Sequence, residues 1–246
     1  MRREHLSLYS PAIGASGDLI AYGHFGQPVL AFPSEQGRCW DYEDRGMVGA
    51  IVPLIEQGRV KLYCIDSYDA GSWFAPDTPI AERARRHGLY EDWIVNQVVP
   101  WIDADCAGGA SGAITTGCSF GAYHAANLAL KRADLFPIAL CQSGVYDITG
   151  LGHGGGDAVY FNNPMHYVAN LHGDHLAWLQ GRVRLVLVCG QGQWEDTTGA
   201  LESTKSFAAL LRERGIACEA HLWGHEWPHD WPSWRAQVAH HLGQLC

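Results

Sequence analysis

Short apolar runs alternate along this chain with longer segments whose apolar positions recur every three to four residues. HLSLYSPAI (5–13) and DLIAYGHFG (18–26) read as an opening antiparallel pair, and PVLAFP (28–33) as a short buried strand. DYEDRGMVGAIVPLIEQG (41–58) reads as one helix ended by Gly58. Next come a strand over VKLYCID (60–66), a helix over LYEDWIVNQVVPWID (89–103), a strand over GAITTGC (112–118), a helix over FGAYHAANLALKRA (120–133) and a strand over PIALCQSG (137–144). A Gly-rich loop, GLGHGGGD (150–157), and an irregular segment follow. The chain then returns to a strand over RVRLVLVCG (182–190), a helix over TKSFAALLRERG (204–215), a strand over ACEAHLWG (217–224) and a helix over WPSWRAQVAHHLGQL (231–245). Alternation of this kind predicts an α/β fold, a mostly parallel central sheet with helices on both faces. No repeat or low-complexity linker divides the 246 residues, so one domain spanning 1–246 is expected.

Composition narrows the functional classes. Seventeen Lys and Arg against 26 Asp and Glu give a formal charge of -9, which repels phosphate backbones and argues against nucleic-acid partners. No apolar run is long enough to cross a bilayer, and the paired arginines at the start lead into no apolar signal core, so a cytoplasmic location without membrane attachment is expected. The eight cysteines are scattered singly and read as buried free thiols.

The chemistry concentrates at GAITTGCSFGAYHAANLAL. Gly117-Cys118-Ser119-Phe120-Gly121 is G-x-S-x-G between an apolar strand and an Ala-rich helix, where that motif forms a strained strand-to-helix turn presenting a serine nucleophile. The Phe120 backbone N–H and the helix N-terminus would face a developing oxyanion. This elbow imposes the order serine, then acid, then histidine. QGQWEDTT after the strand 182–190 offers Glu195 or Asp196, and the segment after the last strand offers His225 or His229. Glu195 has the longer reach, whereas Asp196 suits a helix cap near Thr198.

Two other motifs compete. HEWPH (225–229) satisfies H-E-x-x-H, but that zinc motif requires a continuous helix, and Pro228 inside it would cost about 3 kcal/mol or more. No third ligand follows, so no metal and no other cofactor is expected. GLGHGG (150–155) matches G-x-G-x-x-G, yet it follows no strand directly and opens no helix, as a dinucleotide fingerprint must. His124 reads as a packed histidine. Asp66 and Asp69 are either substrate contacts or loop caps. Trp73, Trp194, Trp223, Trp227 and Trp231 lie near loops that should surround the site, and Trp73, Trp194 and Trp227 are candidate pocket walls.

GCSFGAYHAANLAL, QSGVYDI, VYFNNP and HDWPSW resemble the esterase branch of the α/β-hydrolases that includes esterase D-like enzymes and the mycolyltransferases. FPSEQGRCWDYEDRGM and LYCIDSYDAGSW resemble one subgroup of it, so the likeness runs over most of the chain. It implies an α/β-hydrolase fold and acyl-ester chemistry at Ser119. It also implies a glutamate as acid, hence Glu195, and a base within His229-Asp230-Trp231 rather than His225. The H-G-G loop that often gives the second oxyanion N–H is absent; FPSEQG (32–37) replaces it, making Glu35 or Gln36 the expected donor. The expected substrate is a small-molecule ester or thioester, with acyl transfer or a non-catalytic scaffold as the alternatives. The sequence carries no sign of oligomeric state.

Overall fold

The structure, a computed structural model, describes residues 1–106 and 112–246. One eight-stranded sheet organises it: β1 (Arg3–Ser10), β2 (Ala15–Tyr22), β3 (Gln27–Phe32), β4 (Val60–Ile65), β5 (Ile114–Cys118), β6 (Ile138–Gln142), β7 (Arg184–Cys189) and β8 (Ala217–Leu222). Their spatial order is β1-β2-β4-β3-β5-β6-β7-β8, with β1 and β2 antiparallel to their neighbours and the rest parallel. This is the α/β-hydrolase arrangement. All residues of β4 and β5 are buried, as expected of strands covered on both faces, whereas β1 alternates between exposed and half-buried positions because it forms an edge.

The helices are α1 (Asp41–Asp44), α2 (Met47–Glu56), α3 (Ile80–Trp93), α4 (Val99–Asp105), α5 (Phe120–Lys131), α6 (Gly156–Tyr160), α7 (Pro164–Ala169), α8 (Gly173–Gln180), α9 (Ala200–Glu213) and α10 (Trp231–Leu245). They cover two apolar layers. One gathers Phe32, Tyr63, Trp93, Phe136 and Phe207, and the other gathers Ile51, Leu62, Val188, Trp234 and Leu242.

Several boundaries differ from the sequence pattern. The expected helix 41–58 is two helices, because Gly46 takes φ 77°, outside the helical region, between α1 and α2. The expected helix 89–103 begins earlier, at Ile80, through the charged stretch AERARR, whose polar face concealed it. A π-helical turn at Ile94–Val98 then joins α3 to α4 just before Pro100, where an ordinary turn would place a carbonyl against the proline ring. The irregular segment before β7 holds three short helices. Asn163 caps α7 by accepting the Met165 N–H, and Pro164 follows it directly. No helix among the described residues is long and apolar enough to cross a membrane.

An internal ion pair ties the sheet to α4. Lys61 is buried, with its Nζ 2.6 Å from Asp105 Oδ2, and the Tyr63 hydroxyl donates to the same oxygen at 3.0 Å. Burial pushes the Asp105 carboxyl up, but the bonds from Lys61 and Tyr63 outweigh it and hold the group below the usual carboxylate range. A depressed folded pKa gives stability that is present above the unfolded value and lost as pH falls through the folded one. Asp105→Asn should therefore destabilise the protein by about 3 kcal/mol at neutral pH, since Lys61 would stay buried beside a neutral partner. In urea unfolding, that difference should shrink below about pH 4 as the wild-type carboxyl takes up its proton; a pH-independent difference would contradict the ion pair.

Candidate active site

The turn from β5 into α5 consists of one residue, Ser119, with φ 55° and ψ -123°. It is held by its N–H donating to Gln142 O at 2.9 Å and by the Ala122 N–H donating to its carbonyl at 3.0 Å. A Cβ on Gly117 would stand 2.3 Å from the Gly121 carbonyl, and one on Gly121 would stand 2.2 Å from Pro33 O. The helix thus runs too close to β5 and the end of β3 for any side chain at either position. Ala122, Ala125, Ala126 and Ala129 continue this close packing down α5.

Ser119 Oγ lies 3.0 Å from His229 Nε2, and His229 Nδ1 lies 2.9 Å from Glu195 Oε2. The row joins the ends of β5, β7 and β8. His229 is held by its own N–H, which donates to Gln193 O at 2.9 Å, and Asp230 caps α10 by accepting the Trp231 N–H at 2.7 Å. The imidazole and the Trp234 ring meet nearly at right angles, centroids 5.0 Å apart.

Glu195 has no exposure, so its charge must be met by donors. Ser143 Oγ donates to Oε1 at 2.6 Å and the Gly190 N–H at 3.2 Å; the Cys189 thiol reaches Oε2 at 3.4 Å. Burial and the neighbouring Glu195 push that thiol up, so it stays protonated and can donate. Trp234 Nε1 in turn donates to Ser143 Oγ at 3.1 Å.

The structure sorts the remaining sequence candidates. Asp196 is exposed and, among the described residues, its carboxylate accepts only the adjacent Thr197 N–H; α9 starts at Ala200 with Gly199 as its uncapped first boundary, so Asp196 does not cap it. His225 is exposed and bonds Gln191 O at 2.9 Å, away from Ser119. Residues 223–230 are not helical, so His225 and His229 do not share a helix face as H-E-x-x-H requires. Trp73 is a correction: it has no exposure and packs in an apolar cluster with Phe120 and Tyr123, so it lines no open pocket. Trp194 is 48 % exposed beside Glu195, and Trp227 is half-buried against Trp223. Asp66 accepts from Arg38 Nε and from the Asp18 and Cys39 N–H groups, and so closes a loop. His124 is buried against Asp69 at 2.8 Å. The Gln36 N–H is given to Asp69 Oδ2 at 3.0 Å, whereas that of Glu35 meets no acceptor among the described residues.

Ser143 and Trp234 are the residues that sequence reasoning missed. QSG at the end of β6 and the second tryptophan of HDWPSW were visible signals, but nothing in the sequence tied either to a carboxylate more than 35 positions away. Ser143→Ala should cost about 1–3 kcal/mol in urea unfolding, because it leaves the Trp234 N–H buried without an acceptor and removes the shortest donor to Glu195. Unchanged stability would mean that this bond contributes nothing.

Residues 36–245 match the model of the family described as "Putative esterase". The fold is shared with a ferulic acid esterase (15% identity, TM-score 0.74, 99% of this chain and 97% of that chain). It is shared likewise with MPT51 of Mycobacterium tuberculosis (15% identity, TM-score 0.76, 100% of this chain and 98% of that chain). S-formylglutathione hydrolase of Staphylococcus aureus is a third such structure (15% identity, TM-score 0.69, 99% of this chain and 96% of that chain). Among curated proteins none matches in sequence. The family match covers most of the chain and the G-x-S-x-G elbow lies within it: this protein belongs to the "Putative esterase" family and is a carboxylic ester hydrolase with the α/β-hydrolase fold.

Proposed function

We propose that the protein hydrolyses a small-molecule carboxylic ester or thioester through an acyl-enzyme on Ser119, with His229 as general base and Glu195 as the acid of the triad. The observation that carries this reading is the position of His229, its two ring nitrogens 3.0 Å from Ser119 Oγ and 2.9 Å from Glu195. Ser119 Oγ attacks the acyl carbonyl while its proton passes to His229 Nε2. The tetrahedral intermediate collapses, and the departing alkoxide or thiolate takes that proton. A water then attacks the acyl group, again giving a proton to His229, and Ser119 recovers it as the carboxylic acid leaves. Throughout, Glu195 holds Nδ1–H and keeps Nε2 free to accept.

The oxyanion would be met by the Phe120 N–H and by that of Glu35, the one of the two expected loop donors that has no acceptor among the described residues. Trp194 and Trp227 offer aromatic surface for the substrate. The proposed chemistry uses this chain's own groups, as one catalytic domain over 1–246, and calls for no metal or other cofactor. Eight unpaired cysteines fit a reducing, cytoplasmic setting.

Steady-state hydrolysis of p-nitrophenyl esters by point variants tests the assignment. Glu195→Gln should lower kcat by something on the order of 10⁴-fold, as neutralising a triad acid does, and His229→Ala should remove nearly all turnover. Asp196→Asn and His225→Ala should stay near wild type, with or without a chelator. A larger loss in Asp196→Asn would move the acid to that residue, and chelator-sensitive loss in both histidine variants would favour a metal mechanism.

A further inference from the structure

A second carboxylate–histidine pair lies behind the elbow and takes no part in the proposed proton transfers. Asp69 is 1% exposed and His124 2%, and Asp69 Oδ1 stands 2.8 Å from His124 Nε2. The other oxygen, Oδ2, accepts the Gln36 N–H at 3.0 Å. Gln36 has φ 54°, a left-handed conformation that costs a non-glycine residue energy and persists only where neighbours hold it. His124 belongs to α5, four residues after Phe120. Its ring stacks on Phe32 at the end of β3 and meets the Phe120 ring edge-on at 5.0 Å. His124 Nδ1 has no partner among the described residues, so the tautomer that avoids a buried unpaired N–H carries its proton on Nε2, toward Asp69.

These contacts form a strut between two pieces of backbone. At one end is α5, whose first N–H, that of Phe120, is the first of the two proposed oxyanion donors. At the other is the 34–37 turn, closed by the Gly37 N–H donating to Ser34 O at 2.9 Å. A carboxylate is a stronger acceptor than a neutral oxygen, and burial strengthens the bond further. It therefore fixes the orientation of the Gln36 N–H, and with it the preceding residue, against the helix that bears the nucleophile. Ser67 grips Gly37 O from the same side through its N–H and hydroxyl, which anchors the turn as a whole but leaves the Gln36 N–H to Asp69.

We propose that Asp69 and His124 are positioning residues for ester hydrolysis, holding the strained Gln36 turn so that the Glu35 N–H meets the oxyanion opposite Phe120. This rests on the serine-esterase reading above. The pair contributes to the transition state through geometry and touches no reacting atom. Asp69→Ala removes the acceptor, so the turn can relax and one oxyanion donor is lost. Loss of a single such donor lowers kcat by about 10²–10³-fold. Asp69→Asn keeps an oxygen that can accept the Gln36 N–H and should recover most of the activity. His124→Phe keeps the ring packing but removes the donor that orients the carboxylate, and should fall between the two.

The test is kcat and KM for a p-nitrophenyl ester, together with inhibition by a trifluoromethyl ketone, which forms an anionic tetrahedral adduct with a serine nucleophile. All variants are compared at equal folded fraction by circular dichroism. The expected result in Asp69→Ala is a kcat lower by about 10²-fold, a KM within about threefold of wild type, a parallel loss of ketone affinity, and rescue in Asp69→Asn. A folded Asp69→Ala with wild-type kcat, or a kcat loss without weaker ketone binding, would overturn the positioning role alone. Absence of turnover in the wild type would overturn the serine-esterase reading and this inference with it. If Asp69→Ala does not fold, the comparison of His124→Phe with Asp69→Asn decides by the same criteria.

Discussion

A carboxylate with no access to water organises one whole edge of this protein. Buried charge is tolerated only when donors replace the lost hydration, and Glu195 obtains four donors from three places in the sequence: Ser143, the adjacent Cys189 and Gly190, and His229. Each donor constrains another element. Ser143 brings the end of β6 to the end of β7 and, through Trp234, fixes α10. His229 ties the loop after β8 to the loop after β7 and leaves its second nitrogen on Ser119. The approach is close enough that a Cβ on Gly190 would stand 2.0 Å from Trp227 O. Relocating this one charge would disturb Ser143, His229 and the last helix together.

Backbone strain collects at the same edge. Among the described residues, five non-glycine positions have positive φ, and four of them, Gln36, Ser119, Ser143 and Trp194, directly follow or lie in the loops after β3, β5, β6 and β7. Each sits where a chain leaving a parallel strand must turn sharply to present a group above the sheet. A packed core beneath supplies the rigidity that keeps such conformations populated. Two of these residues are reached by buried polar bonds: Asp69, itself bonded to His124, accepts the Gln36 N–H, and Ser143 donates to Glu195.

Strands β3 to β7 were legible because parallel strands buried on both faces appear as continuous apolar runs, and the antiparallel pair β1–β2 and the edge strand β8 were recognisable beside them. The elbow was legible because its glycines and serine fall within one short motif between an apolar strand and an Ala-rich helix, although the contact that demands Gly121 comes from Pro33, outside that motif. The acid could be narrowed to Glu195 or Asp196 by order alone, but choosing between neighbours depends on which side chain points inward, a tertiary fact. Gly46 splitting one apparent helix and the concealed start of α3 are local misreadings of periodicity. Trp73 was misplaced because a tryptophan beside an active-site loop can face either the pocket or the core, and its sequence neighbours do not distinguish the two. Ser143 and Trp234 escaped for a deeper reason: their roles exist only once β6, β7 and α10 have met.

The most direct measurement is the site of covalent labelling by a fluorophosphonate, mapped by mass spectrometry in native and in urea-unfolded protein. An oxygen nucleophile primed by His229 reacts only while the Ser119–His229–Glu195 row is intact. The expected adduct is therefore on Ser119, in native protein alone, and without added metal. Native protein left unlabelled under conditions that label an active control esterase, or an adduct on a different residue, would contradict the assignment of Ser119 as nucleophile.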